Sequence, residues 1–402
     1  MVKPIQKTFM NGALLCVEPS KTLERVMPWM SYMGITRIAN VTGLDRIGIP
    51  VVMVCRPNSR SVAVSQGKGL TLDAAKASGL MESVESWHAE RIEHPLKLSS
   101  FADLRPNHAV LDIERLPVMR TSQFNPNLPI LWIEALNLKD KQNHWIHYEI
   151  VHTNYSLPSP SGSGCFIQSS NGLASGNHYL EAVSHAICEC IERDASSLWH
   201  QLPQSERDAT KLDLKTIECV ECVSLLKMLD SAGLEITLWD TQSDLDVVCF
   251  ECVLLDQRQV ISHIGQGAGC HPDKNIALLR AITEAVQVRT AYIAGSRDDL
   301  SNDEYSTQGH SERLEAFNEL IGEGSGWVDF ADLQSQTFGT FDEDVNWLVA
   351  RLDAFDIDQV LCVNLSRSPM NIDVVRVVIP GLEGPHDDDE YVAGLRATAM
   401  QA

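Results

Sequence analysis

Glu181, His185, Glu189 and Glu192 stand at steps of four, four and three in the run SGNHYLEAVSHAICECIERD, residues 175–194. On a helix those steps place all four on one face, within about 80°. Three carboxylates stacked in this way repel one another. A divalent cation that prefers oxygen ligands removes the repulsion, and Mg2+ is the simplest choice. Two other stretches repeat the device. Ser78, Glu82 and Glu85 fall at four and three, and so do Arg280, Glu284 and Gln287. A single acidic face is also what a solvated helix surface looks like; three such helices argue for a shared centre. There the carboxylates would meet a few cations and amides, Asn177 among them. Lys68, Arg280 and Arg289 can hold phosphate directly, with Mg2+ bridging phosphate oxygens to the glutamates. The combination is that of a nucleoside-triphosphate site. Arg289 lies two residues beyond Gln287, on a different side of its helix.

Other chemistries lack their residues. Gly67-Lys68 is followed by Gly69, so no phosphate-binding P-loop is present. No HRD or DFG segment, HExxH pair or GxSxG elbow occurs. Gly265-Gln-Gly-Ala-Gly269 is an incomplete dinucleotide fingerprint. Cys219 and Cys222 have CxxC spacing without a second pair, and an apolar helical run makes both core candidates. Cys188, Trp87 and Trp199 read as packing residues, and His185 either orients a carboxylate or is structural.

The elements that must position these groups are legible in outline. PSKTLERVMPWMSYMG reads as a helix and its exit. Ile47–Cys55 and Arg60–Ser65 read as strands joined at Arg56-Pro-Asn-Ser, and the glycine-rich 66–69 leads into a helix capped by Thr71. Residues 95–126 read as a linker, LPILWIEALNL and HWIHYEIVHTNY as strands, and PSPSGSGCFIQSSN as a flexible loop. LEITLWDT and VVCFECVLLD follow as strands, then a glycine-rich turn (Gly265, Gly267, Gly269) before the third polar-faced helix. Asp298 to Glu323 reads as a mobile insertion or lid. VLCVNLSR and DVVRVVIPGLEG are late strands. Strand, glycine-rich turn and polar-faced helix thus recur, which implies related units around one centre.

The 402 residues are 44% hydrophobic and 21% charged, ordinary for a globular chain of two or three subdomains. A formal charge of −22 opposes nucleic acid or anionic membrane as a general partner. The N-terminus lacks a secretory signal, and no window reaches the roughly 18 apolar residues of a membrane span. With 11 scattered cysteines the chain reads as cytoplasmic, with reduced thiols.

SxxxExxE from Ser78, SGNxxxEAxxHAxxExxERD from Ser175 and RAxTEAxQxR from Arg280 together resemble the YcaO superfamily. TRIANVTGLDRIGIPV, RPNSRSVAVSQGKG and VIPGLE are similar to its branch that works beside a TfuA partner. The resemblance covers roughly residues 35–385, which would form the ATP-binding domain between an N-terminal segment (1–34) and a polar tail (386–402). It implies an α+β YcaO-type fold, with mixed sheets and helices carrying a carboxylate-lined nucleotide site. It also implies ATP- and Mg2+-dependent phosphorylation of a peptide amide oxygen, followed by nucleophilic attack.

By position, Glu82, Glu85, Glu181, Glu189 and Glu192 would be Mg2+ ligands or nucleotide contacts, and Glu82, Glu189 and Arg280 the catalytic group. Lys68, Ser78, Asn177, Arg193, Glu284, Gln287 and Arg289 would bind or frame ATP, with Arg37 a further phosphate candidate. The chain ends without the PxPxP tail of azoline-forming members. That points to thioamide formation in a ribosomally made peptide or protein, with a TfuA-like sulfur-delivery partner and a homodimeric state implied by the family. A cyclodehydratase making thiazoline or oxazoline is the alternative. A non-catalytic scaffold is the third reading, opposed by the intact carboxylate set.

Overall fold

A computed structural model describes residues 4–256, 263–296, 302–324, 326–386, 388 and 390–400. The chain opens with a hairpin, β1 (Thr8–Met10) and β2 (Ala13–Leu15), turned at Asn11-Gly12, both in the left-handed region. The expected helix at the N-terminus is two pieces, α1 (Pro19–Val26) and α2 (Met30–Met33), ended by Gly34 at φ 75°. Leu23, Val26 and Met33 share a core with the helix that follows, so α1 and α2 pack as part of the main body.

An antiparallel sheet comes next, β3 (Arg37–Asn40), β4 (Val51–Cys55) and β5 (Val64–Lys68). Then α3 (Leu72–Ala89) begins where expected, with Thr71 Oγ1 accepting from Ala74 N at 3.2 Å. The stretch read as a linker contains β6 (Lys97–Ser99) and α4 (Phe101–Leu104), and it buries Leu104, Leu111, Ile113 and Leu116. Its apolar residues are too widely spaced to show a period, which is why it looked unstructured. After β7 (Ile130–Asn137), β8 (Asn143–His147) and β9 (Leu173–Gly176) comes the long helix α5 (Tyr179–His200). Helices α6 (Gln204–Ala209) and α7 (Val220–Ser231) lead to a second antiparallel sheet, β10 (Glu235–Asp240), β11 (Cys249–Leu255) and β12 (Gly265–Cys270). The third polar-faced helix is α8 (Lys274–Ala294). The chain closes with α9 (Thr307–Ile321), α10 (Phe341–Asp353), β13 (Leu361–Asn364), β14 (Asp373–Val378) and α11 (Leu395–Met400).

The largest sheet runs β6-β7-β13-β14-β9, with β8 also paired to β7. Strand alternation divides β14 between two cores. Val374 joins α1 and α3, whereas Val375 and Val377 join α5 and α10. Helices α3 and α5 therefore meet at β9.

Two expectations are corrected. The glycine-rich segments before α3 and α8 are strands, not turns. A Cβ on Gly67 would stand 2.1 Å from Ala75 O, and one on Gly265, Gly267 or Gly269 within 2.3 Å of the α8 backbone. Glycine there permits strand and helix to touch. Both three-stranded sheets use this contact with the helix that follows, so the recurrence read in the sequence is a repeated unit of a three-stranded antiparallel sheet and a helix. Of the expected lid, residues 298–301 lie outside the described residues, but Thr307–Ile321 is helical. Leu314, Phe317, Leu320 and Ile321 pack it on the cluster of Trp199 and Trp239.

Gly267→Ala is expected to lower unfolding free energy by about 3 kcal/mol, the upper range for overpacking. Gly43→Ala, where a Cβ meets nothing within 4 Å, should be near neutral. Chemical denaturation of both variants measures the difference, and equal stabilities would refute the contact.

Candidate active site

Three polar helix faces and one strand form a cleft. Lys68, at the end of β5, is its hub. Its Nζ pairs with Glu284 Oε2 on α8 at 2.5 Å, and its backbone N–H donates to Ser78 Oγ on α3 at 3.4 Å. Gln66 N donates to Glu82 at 3.3 Å. Glu85 accepts from Ser175 N at 2.8 Å and Ser175 Oγ at 2.7 Å, which ties α3 to the strand that feeds α5. Arg280 is braced by the Cys270 carbonyl at 2.9 Å. Gln287 is half-buried one turn beyond Glu284.

The carboxylates act on one another. Burial pushes Glu85 up to about 8; the Ser175 bonds oppose this, and Glu82 and Glu189 add to it. Burial also lifts Glu189 to about 7, with Arg193 opposing and Glu192 and Glu284 reinforcing. Glu192 is raised by burial and by Glu284. Burial would raise Glu284 too, but Lys68 and Arg193 outweigh it and hold the carboxyl below its ordinary range. The His185 side chain is exposed, while burial of its ring by the surrounding chain and then the charges of Arg280 and Lys68 lower its pKa to about 3.

Glu82, Glu85, Glu189, Glu192 and Glu284 are thus brought together with Lys68, Arg193 and Arg280. Other expected residues are engaged elsewhere. Glu181 is buried, and it accepts from the Cys16 thiol at 2.7 Å and from Asn177 N at 3.3 Å. The Asn177 side chain bonds Thr22 on α1 at 2.9 Å, and Arg25 holds the Asn177 carbonyl at 3.1 Å. Arg289 does not face the cleft. It is 1% exposed and ion-paired with Asp45 at 2.7 Å and Asp256 at 3.4 Å, so its guanidinium fixes α8 to the first sheet's loop. Its offset from Arg280 in the helical sequence already pointed that way. Arg37, on β3, is exposed. Sequence reasoning missed Arg376 of β14, which lies within electrostatic reach of Glu189. A lone charge inside the apolar run VVRVV was the available signal.

The donor set fits hard cations and a polyphosphate. A divalent ion relieves carboxyl groups whose pKa is raised by burial and, secondarily, by one another, and the flanking lysine and arginines match phosphate oxygens. Among the described residues no three His, Cys, Asp or Glu side chains converge tightly enough to hold an ion by themselves. Ligand oxygens from a nucleotide would complete such a shell, as is usual for Mg2+.

Raised carboxyl pKa values mean that the folded protein holds protons the unfolded chain has lost. Stability from these groups therefore falls as pH rises from the ordinary carboxylate range through about 7 and about 8. Metal-free protein should melt higher near pH ~6 than near pH ~9, and Glu189→Gln should narrow the gap. Scanning calorimetry of the two proteins tests this; an unchanged gap in the variant refutes the raised pKa of Glu189.

Comparison with known proteins places this geometry. The profile of the YcaO family, described as YcaO cyclodehydratase, ATP- and Mg2+-binding, matches residues 66–383. An uncharacterized protein in the tfuA 3' region of Rhizobium leguminosarum bv. trifolii is 33% identical over 391 residues, 95% of this chain and 91% of that one. The structure of YcaO from Methanopyrus kandleri bound with AMPPCP and Mg2+ aligns with a TM-score of 0.77 at 23% identity, over 97% and 98% of the two chains. A heterocyclase in complex with substrate and cofactor aligns with a TM-score of 0.78 at 20% identity, over 96% of this chain and 54% of the other. These two likenesses establish the fold. Matched along most of its length by the family profile, and nearly end to end by a relative one-third identical, the chain belongs to the YcaO family, which binds ATP and Mg2+.

Proposed function

We propose that this protein uses ATP and Mg2+ to phosphorylate a backbone amide oxygen of a ribosomally made peptide or protein, and that a sulfur nucleophile then displaces the phosphate to leave a thioamide. The observation that carries the reading is the convergence of five carboxylates with Lys68, Arg193 and Arg280 in one cleft. The kinship with a protein encoded beside tfuA supports a TfuA-like partner that delivers sulfur.

In this reading Glu82, Glu85, Glu189 and Glu192 hold Mg2+, with Glu181 a further ligand once its bond to Cys16 is exchanged. When bound, Mg2+ offsets charge on the phosphates and the transferring phosphoryl group. Arg193 and Arg280 grip phosphate oxygens, and Lys68 does so from its seat on Glu284. Ser78 and Gln287 line the same helix faces and position nucleotide and ligands. Asn177, held by Thr22 and Arg25, sets the entry to α5. Glu82, Glu189 and Arg280 are the residues in contact with the reacting phosphoryl group. An amide oxygen is a poor leaving group, and phosphorylation makes it a good one. No helix among the described residues is long and apolar enough to cross a membrane, and the thiols are all free. A cytoplasmic site of action accords with both.

The family's description as cyclodehydratase favours a second reading, in which a Cys, Ser or Thr of the peptide attacks to form an azoline. Mass spectrometry separates them. With peptide, ATP, Mg2+ and sulfide, thioamide formation adds the mass difference between sulfur and oxygen; cyclisation removes one water. Loss of water would overturn the thioamide reading. Glu189→Gln should weaken Mg2+-dependent ATP binding by at least about tenfold, roughly one charge-assisted ligand contact. Unchanged affinity by titration calorimetry would remove Glu189 from the metal site.

A further inference from the structure

Arg376 is only 3% exposed, and its Nε and Nη1 are buried without a hydrogen-bond partner. A buried guanidinium left in this state is costly. By contrast, Arg56 and Arg289, buried to the same degree, are both paired with carboxylates. Arg376 borders a cavity of about 70 Å³ walled by Ile150, Ile167 and Leu382 and by the polar Ser169, Asn171 and Cys190. Asn171 Oδ1 is also buried without a partner. Cys190 directly follows Glu189 on α5, and Arg376 and Glu189 act on each other electrostatically. Arg376 thus borders the cavity and lies within electrostatic reach of Glu189.

About 10–15 Å³ of such space holds one water, so this cavity has room for a few small molecules. The space suits a small anion and is far too small for a nucleotide or a peptide. Most of its walls are apolar; the Glu383 carboxylate also lines it, with its oxygens taken by Tyr391 Oη at 2.8 Å, Gly394 N at 2.8 Å and Ala397 N at 2.9 Å, and its charge disfavours a dianion. A soft, weakly hydrated monoanion fits best. Resting on the thioamide reading above, we propose that this cavity holds hydrosulfide, the sulfur nucleophile, with Arg376 Nε and Nη1 donating to the sulfur and the S–H donating to Asn171 Oδ1.

The step balances. A lone pair of the sulfur forms a bond to the carbon of the phosphorylated amide. The carbon–oxygen bond then breaks, and the former amide oxygen leaves on phosphate. The hydrosulfide proton goes to that phosphate, giving hydrogen phosphate, and the nitrogen keeps the proton it had in the amide. No oxidant or reductant is needed. Arg376 is a binding residue for the nucleophile and plays no part in phosphoryl transfer.

Bromide is a suitable probe because it is a monovalent anion of similar size. Crystals of the full chain soaked in sodium bromide should give an anomalous peak beside Arg376, and sodium hydrosulfide should displace it. In Arg376→Lys and Arg376→Met the peak should weaken by at least about tenfold in apparent affinity, the loss of one charge-assisted hydrogen bond. Arg376→Lys keeps the positive charge that reaches Glu189, so its Mg2+-ATP affinity should stay close to the parent's in titration calorimetry. Thermal melts identify a variant that fails to fold, and the lysine variant serves if the methionine one does. No peak at Arg376 would overturn the proposal, as would a peak that inorganic phosphate displaces and hydrosulfide does not. This readout needs neither peptide nor turnover, so its failure is distinct from failure of the thioamide reading, which product mass alone decides.

Discussion

Like charges held close together are the constraint on which the rest of the molecule depends. Glu85, Glu189, Glu192 and Glu284 face one cleft, and burial, reinforced by their proximity, disfavours ionisation of the first three. Left to relax, helices bearing such faces would move apart. They are held by contacts made behind the charges. Ser175 fastens Glu85 to β9, Lys68 fastens Glu284 to β5, and apolar residues on the far sides of α3, α5 and α8 lock each helix into its own core. A cation bound among them would offset both the burial and the repulsion that raise these carboxyl groups.

The two three-stranded sheets are built alike and do the same work. Each ends in a strand whose glycines let the next helix lie against it, so α3 and α8 sit closer to their sheets than side chains would allow. The close approach fixes how far each polar face projects into the cleft. Arg289, buried between Asp45 and Asp256, secures α8 to the loop of the first sheet. The two units are thus joined both through that ion pair and through the contact between Lys68 and Glu284.

Much of this was legible in the sequence. Helix faces follow from spacing alone, so the three carboxylate-bearing helices and the Thr71 cap could be read directly. What spacing cannot show is which partner a polar group takes. Asn177 and Glu181 carry the right residue types, but their bonds run to Thr22 and Cys16, which are distant in sequence. Glycine signals both a turn and a close contact, and only the sheet reveals which applies at 265–269. Residues 307–321 look like a lid because their polar side faces outward; the stripe of Leu314, Phe317, Leu320 and Ile321 that seats them on Trp199 is sparse. Arg376 needed burial to become visible, since a charged residue in a strand is unremarkable until both of its neighbours prove to point into a core.

The pairing of β14 with β9 has a consequence for how the protein comes into being. Ser175 and Val374 are partners across that ladder, and the chain between them holds α5, the second sheet and α8. Until the ribosome has released β14, β9 has no strand partner and α5 lacks one of the two strands against which it packs. Closing so long a loop is entropically slow, and exposed strand edges invite mispairing meanwhile. The charged cleft therefore assembles late, after nearly the whole chain has emerged. Synthesis of this protein includes an interval in which an acidic, half-built helix pair waits for its last strand.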